Sequence, residues 1–321
     1  MSRVQTDLSQ PNGPIKAQLI LVHGFSDHIN CYSAFFPTLA SQGIQVLGWD
    51  QRGWGRSVKK ASERGNTGPT SQVLSEMAAF IREKLAESEK KNLPVFLLGH
   101  SMGGGQILTF ASSSEYDDIV CKVTGWILES PFIGFHPEET PSPIKVFFGR
   151  LAGRMLPHFH LVHKIPPAYL SRDPEAVKAL EQDKLLHETG TLEGLSGVLD
   201  RTLALSSGQT RLNPSVKRLL LAHGSADRVA SFDASKNWFE KHTEAIPDKT
   251  FKIYDGAYHQ LHSDIIKEEY YRDVAAWILE RSKGDDKLTT AKADVSMPES
   301  GTKDAGGTTK ADEGRKDEAK L

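Results

Sequence analysis

The sequence predicts an α/β protein: a mostly parallel central sheet with helices on both faces, a helical insertion and a disordered tail. Three observations predict it. Short apolar runs bounded by turn residues alternate with stretches of helical period. The runs are nearly continuous Val, Ile and Leu, as strands buried on both faces must be. Three of them end in loops that carry, in chain order, a serine, an aspartate and a histidine. The C-terminal edge of such a sheet is where ligands bind.

Strands are expected at 18–22, 44–49, 95–98, 125–128, 219–222 and 251–254, and helices at 32–41, 72–88, 104–112, 234–243 and 268–281. Residues 1–131 and 212–282 form the two parts of the core. Between them, 132–211 breaks the alternation. It holds Pro137, Pro141, Pro143, Pro157, Pro166 and Pro167 and no strand-like run, so it reads as a helical cap. Within it, Val146, Phe147, Leu151 and Met155 make an apolar stripe beside Lys145, Arg150 and Arg154. Such a helix either packs on the domain or acts as a lid whose apolar face touches lipid. From 283 to 321 large apolar residues almost vanish, and that composition predicts disorder. No internal repeat is visible.

Composition excludes several classes. The 321 residues carry a net charge of −2 and no basic stripe, which argues against a nucleic-acid partner. Two cysteines, Cys31 and Cys121, make neither a disulfide framework nor a zinc site and suit a reducing compartment. No apolar run approaches the ~18 residues of a membrane span, and the first residues lack the apolar core of a signal peptide.

The chemistry starts at Gly99-His100-Ser101-Met102-Gly103, between the apolar run Val95-Phe96-Leu97-Leu98 and a small-residue helix start. A G-x-S-x-G in a strand–turn–helix context lifts the serine hydroxyl clear of the sheet. A nucleophilic serine needs a base, and the base needs an orienting acid. Asp227 follows the run Leu219-Leu220-Leu221-Ala222, and His259 follows Phe251-Lys252-Ile253-Tyr254. Alone, each reads as an ordinary loop residue, since Asp favours turns. Together they fall in the order the chemistry requires. Asp255, closer in sequence to His259, competes for the role of acid. The oxyanion needs backbone donors: Met102 N–H, after the nucleophile, and Phe25 N–H, in the His23-Gly24-Phe25 loop after an early strand. His259 and His262 have metal-ligand spacing, but no nearby Cys or Glu completes a set and the loop context is unlike a zinc helix. No metal is expected. Gly53-Trp54-Gly55 lacks the spacing of a phosphate loop, and its surroundings read as a tight loop with local Arg–Asp pairing. Cys31 reads as a packing residue.

His23-Gly24-Phe25-Ser26-Asp27-His28, Asp50-Gln51-Arg52-Gly53, Gly99-His100-Ser101-Met102-Gly103-Gly104, Glu129-Ser130-Pro131, Gly224-Ser225-Ala226-Asp227 and Gly256-Ala257-Tyr258-His259-Gln260-Leu261-His262 agree in order and separation. Over about 14–281 they resemble the monoacylglycerol lipases of the α/β-hydrolase superfamily, with the fungal branch most alike. The resemblance implies the α/β-hydrolase fold and cofactor-free serine hydrolysis of monoacylglycerol to glycerol and fatty acid. It implies Ser101, Asp227 and His259 as the triad, with Phe25 and Met102 as oxyanion donors. It places Asp27, His100 and His262 near the glycerol head group and a cap at about 132–211 over an acyl tunnel. Two features depart from the family. The segment before the oxyanion strand leaves room for only a stub of the usual two-stranded hairpin. Leu180 aligns where relatives can carry a head-group tyrosine.

Two other enzyme readings use the same residues: a lysophospholipase and a broad-specificity carboxylesterase. A non-catalytic binding protein on this fold would lack a triad member, and none is missing. The cap implies reversible contact with a membrane or lipid-droplet surface and hence a cytoplasmic or lipid-associated location. The terminal Ala319-Lys320-Leu321 matches the small–basic–leucine address read by the peroxisomal import receptor, the other reading of location.

Overall fold

The computed structural model describes residues 5–139 and 142–283, with backbone alone for 5–9, 139 and 143–148. The tail from 284, with Ala319, Lys320 and Leu321, lies outside the described residues, as do the side chains of Lys145, Val146 and Phe147.

Among the described residues seven strands form one sheet: β1 (Gln5–Ser9), β2 (Ala17–Val22), β3 (Ile44–Trp49), β4 (Val95–His100), β5 (Gly125–Glu129), β8 (Arg218–Gly224) and β9 (Asp248–Tyr254). Their order is β1-β3-β2-β4-β5-β8-β9. Every pairing is parallel except β1 with β3. Among the described residues β1 is the one strand ahead of β2, and it runs antiparallel to β3. The expected strands all form. β2 to β5 are buried at every residue, and the edge strand β9 is mostly half-buried.

Period-2 alternation divides the core in two. Ile20 and Val22 of β2 face one cluster, with Leu74, Met77, Ala78, Ile81 and Leu85 of α2 (Thr70–Glu89) and Ile107, Leu108 and Phe110 of α3 (Met102–Ala111). Leu19 and Leu21 face the other, with Phe36 and Leu39 of α1 (Phe36–Ser41) and Tyr270, Tyr271, Val274 and Ile278 of α10 (Lys267–Arg281). The 3–4-residue spacing of these apolar positions makes each helix amphipathic. The helix expected at 32–41 is broken into a 3₁₀ turn at Ile29–Tyr32 and the shorter α1. Pro37 explains the break: it has no N–H to donate and is tolerated only in a first turn.

Between β5 and β8 the chain forms α5 (Pro143–Met155), β6 (His160–Val162), α6 (Pro167–Leu170), α7 (Pro174–Gln182), β7 (Thr189–Thr191) and α8 (Leu192–Ser206). The expectation of an insertion without strands is corrected by β6 and β7, which pair antiparallel. α8 reaches into the main core through Leu205. α9 (Phe232–His242) covers the same face with Trp238.

Candidate active site

Ser101 sits between β4 and α3 at φ 53 and ψ −118, a conformation rare for any residue with a side chain. Holding a non-glycine residue there costs about 1–3 kcal/mol, which surrounding contacts must offset. Ser101 N donates to Glu129 O at 2.9 Å, and Phe132 N donates to Ser101 O at 2.9 Å. The flanking glycines permit the turn. A Cβ on Gly103 would lie 2.1 Å from Val22 O, and one on Gly99 would lie 2.6 Å from Gly103 O.

The loops after β4, β8 and β9 bring Ser101, Asp227 and His259 into one hydrogen-bonded row. Ser101 Oγ lies 2.9 Å from His259 Nε2, and His259 Nδ1 lies 2.7 Å from Asp227 Oδ2. A carboxylate only accepts, so Nδ1 carries the proton and Nε2 is free to take one from Oγ. Asp227 Oδ1 accepts from Val229 N at 2.8 Å and Ala230 N at 3.0 Å. All three side chains are buried. Burial alone would raise the Asp227 carboxyl; the charge of His259 and two imidazole hydrogen bonds outweigh it and hold that carboxyl below the usual range. Burial lowers His259, but Asp227 more than reverses this and leaves the imidazole above its ordinary value. Asp255 instead accepts from Ser225 Oγ at 2.9 Å on the exposed side of the loop.

Sequence reasoning missed His223, which donates from Nε2 to Asp227 Oδ2 at 2.9 Å. It lies within β8, where a lone histidine reads as a core residue. It also missed Tyr32. The Tyr32 hydroxyl donates to Asp27 Oδ2 at 2.7 Å, accepts from Gly24 N at 3.1 Å and lies 2.7 Å from His100 Nδ1. Its nearest sequence cue was the aromatic after Cys31, which carries no motif.

Phe25 and Met102 both line the cavity beside Ser101. Met102 opens α3, where the first amides lack intrahelical acceptors and the helix dipole favours negative charge. His23 fixes the Phe25 loop: Nδ1 bonds Gly24 O at 2.9 Å and Nε2 accepts from Gln51 N at 2.9 Å. In the neighbouring loop Asp50 pairs with Arg56, while Arg52 bonds Glu76.

Two cavities meet at Ser101. One, of ≈ 340 Å³, has Met102, Phe132, Phe135, Leu195, Val198 and Leu199 in its wall. The other, of ≈ 230 Å³, is polar and carries Asp27, His100 and His259. Phe25 and Ile165 line both. Leu180 lines the polar cavity. His262 does not. It lies behind His100, rings 5.0 Å apart, with Nδ1 2.7 Å from Glu129 Oε1. Glu129 thus reaches the His259–His262 segment through space, which spacing along the chain hid. Its second oxygen accepts from Tyr270 Oη at 2.9 Å, so protein donors occupy both. Burial raises the Glu129 carboxyl, but His262 outweighs it and the group falls to about 2.

The insertion is latched to the loops of the site. Ser26 Oγ accepts from His187 N and Glu188 N, and His28 Nε2 bonds Asp183 Oδ2 at 2.7 Å. Arg172 bonds the buried Asp264 next to the His259 loop, and Gln260 N donates to Leu170 O at 2.8 Å.

A serine–histidine–aspartate row on a nucleophile elbow, at the C-terminal edge of this sheet, defines a serine hydrolase of the α/β-hydrolase fold. Residues 13–265 match the model of Hydrolase_4, described as serine aminopeptidase, S33, and the chain belongs to that family. A putative monoglyceride lipase of Schizosaccharomyces pombe is 33% identical over 271 residues, 83% of this chain and 68% of that protein. The monoglyceride lipase of Mus musculus is 30% identical over 284 residues, 85% of each chain. The solved structure of Paleococcus ferrophilus monoacylglycerol lipase superposes with a TM-score of 0.73 at 27% identity, covering 88% of this chain and 100% of that one. A soluble variant of the Saccharomyces cerevisiae monoglyceride lipase, in complex with a substrate analog, gives 0.76 at 19% identity over 88% and 92% of the two chains.

Proposed function

We propose that the chain hydrolyses monoacylglycerol to glycerol and a fatty acid through an acyl-enzyme. The observation that carries this reading is the meeting of an apolar and a polar cavity at one serine hydroxyl. A single-chain lipid ester has that shape: an acyl chain on one side of the carbonyl, a small polyol on the other. The family description names a peptidase, but an apolar wall beside the nucleophile favours an aliphatic acyl group over a peptide.

Ser101 Oγ attacks the ester carbon as His259 Nε2 takes its proton. Asp227 stabilises the imidazolium that forms. The N–H groups of Phe25 and Met102 hold the oxyanion. The acyl C–O bond then breaks, and His259 returns the proton to the departing alcohol. Water, deprotonated by the same imidazole, releases the fatty acid and restores Ser101.

The mouth of the apolar cavity faces a lipid surface in this reading. Leu161 and Val162 line the cavity and are exposed, as are Leu151, Met155, Leu156 and Phe159 nearby in sequence. The run 140–172 contains no Asp or Glu and includes Lys145, Arg150, Arg154 and Lys164. Apolar residues with interleaved cations are the composition of an interfacial segment. Among the described residues no helix is long and apolar enough to cross a membrane.

The reading is tested by supplying purified protein with 2-oleoylglycerol and lysophosphatidylcholine and measuring released oleate. Faster release from 2-oleoylglycerol is expected. Preference for the phospholipid would replace this reading with the lysophospholipase.

A further inference from the structure

The polar cavity beside Ser101 carries charge of one sign. Among the described residues its wall includes Asp27, Glu181, Asp183 and Glu188, and no Lys or Arg. Among the described residues none of the four carboxyl groups has a Lys or Arg partner. Asp27 is held by Tyr32 and His100, Asp183 by His28, and Glu188 accepts from Ile165 N at 2.7 Å. The cations Lys164 and Arg228 line the apolar cavity instead, and Arg228 is engaged by the ring of Tyr169 at 3.8 Å.

A second observation points to a ligand. His100 is 1% exposed and belongs to the wall of this cavity. Its Nδ1 is bonded to Tyr32, while its Nε2 has no hydrogen-bond partner among the described residues. With Nδ1 as donor, Nε2 is a buried acceptor awaiting a donor. A hydroxyl or an ammonium N–H satisfies it. A phosphate oxygen does not, and it also meets four carboxyl groups in a partly desolvated space, where like charges repel far more than in water.

We propose that this cavity selects the alcohol half of the ester by charge. Neutral polyols and ammonium-bearing alcohols enter it and phosphorylated alcohols do not, so the enzyme has a further activity on fatty acyl esters of cationic amino alcohols. The inference rests on the reading of Ser101 as the nucleophile. The chemistry is unchanged: the acyl C–O bond breaks, the amino alcohol leaves with the proton carried by His259, and water supplies the hydroxyl of the fatty acid.

The test compares kcat/KM of the full chain for three esters of one acyl group: 1-octanoylglycerol, 2-(dimethylamino)ethyl octanoate, whose protonated amine carries one N–H, and 1-octanoylglycerol 3-phosphate, all below their micellar concentrations. The aminoethyl ester is expected within about tenfold of the glycerol ester, and the phosphate at least about a hundredfold below it. Glu181→Lys changes an exposed side chain, and its fold is checked by circular dichroism. It is expected to lower the aminoethyl-to-glycerol ratio about tenfold and raise the phosphate-to-glycerol ratio. A phosphate ester cleaved as fast as the glycerol ester, an uncleaved aminoethyl ester, or ratios unmoved by Glu181→Lys would overturn the inference while leaving monoacylglycerol hydrolysis standing. No cleavage of any of the three would overturn the esterase reading itself.

Discussion

Asp227 accepts hydrogen bonds from Val229 N, Ala230 N, His223 Nε2 and His259 Nδ1. The two amides are local: they follow from a turn aspartate bonding its own backbone. His223 is also local, four residues back in β8, whereas His259 comes from the loop after β9 and joins Asp227 to the row with Ser101. Asp227→Asn removes the anion that sets the tautomer and charge of His259, and a loss of about 10⁴-fold in kcat is expected. Asp255→Asn, on the exposed side of the loop, is expected to cost little. The pH profile carries a second signature. His259 must be neutral to accept the serine proton, so activity falls as pH drops through its raised value. Without the Asp227 charge that value falls, and the acid limb of the residual activity moves to lower pH. Steady-state rates of both variants across pH check this, and a larger loss in Asp255→Asn would reassign the acid.

At the scale of elements, the insertion joins two kinds of surface. Its inner side is latched to the site through Ser26, His28 and Asp264. Its outer side exposes Met155, Leu156, Phe159 and Val162. Burying four such side chains in a lipid interface is worth several times the ~1.5–3 kcal/mol of one. Leu156→Asp/Phe159→Asp is therefore expected to reduce co-flotation with liposomes while hydrolysis of a soluble ester persists. Equal flotation of variant and parent would remove the surface role. The same contrast shows what the sequence made legible. The inner strands of the parallel sheet were readable because apolar continuity is a local signal of burial, whereas the edge strand β9 showed only Phe251, Ile253 and Tyr254 around a lysine. Ser101, Asp227 and His259 were readable because each follows a strand. β6 and β7 were not: three residues each, including His160, Thr189 and Thr191, they gain strand character only by pairing with each other. The 3₁₀ break before α1 was signalled by Pro37, but the apolar periodicity from Tyr32 to Leu39 masked it. His223 and Tyr32 gave no signal: their partners Asp227 and Asp27 lie four and five residues away, but a histidine inside a strand and an aromatic outside any motif read as packing residues.

For the whole molecule, the sheet serves as a frame that carries three loops to one edge and covers both faces with helices. The tail from 284, with Ala319-Lys320-Leu321, lies outside the described residues, and the peroxisomal reading of that tripeptide is a proposal to test. A fluorescent protein fused to the N-terminus is expected to appear in puncta with a peroxisomal marker and to become diffuse when Leu321 is deleted. Diffuse signal from the intact chain would leave the cytoplasmic or lipid-surface location. The central claim is that one strained serine, Ser101, is the nucleophile of an esterase built on this frame. Labelling with a fluorophosphonate probe, in parallel with release of oleate from 2-oleoylglycerol, tests it most directly. Wild type should be labelled and active. Ser101→Ala, with an unchanged circular dichroism spectrum, should be unlabelled and slower by several orders of magnitude, the loss expected when a triad nucleophile is removed. Labelling of Ser101→Ala at another serine, with activity retained, would contradict the account.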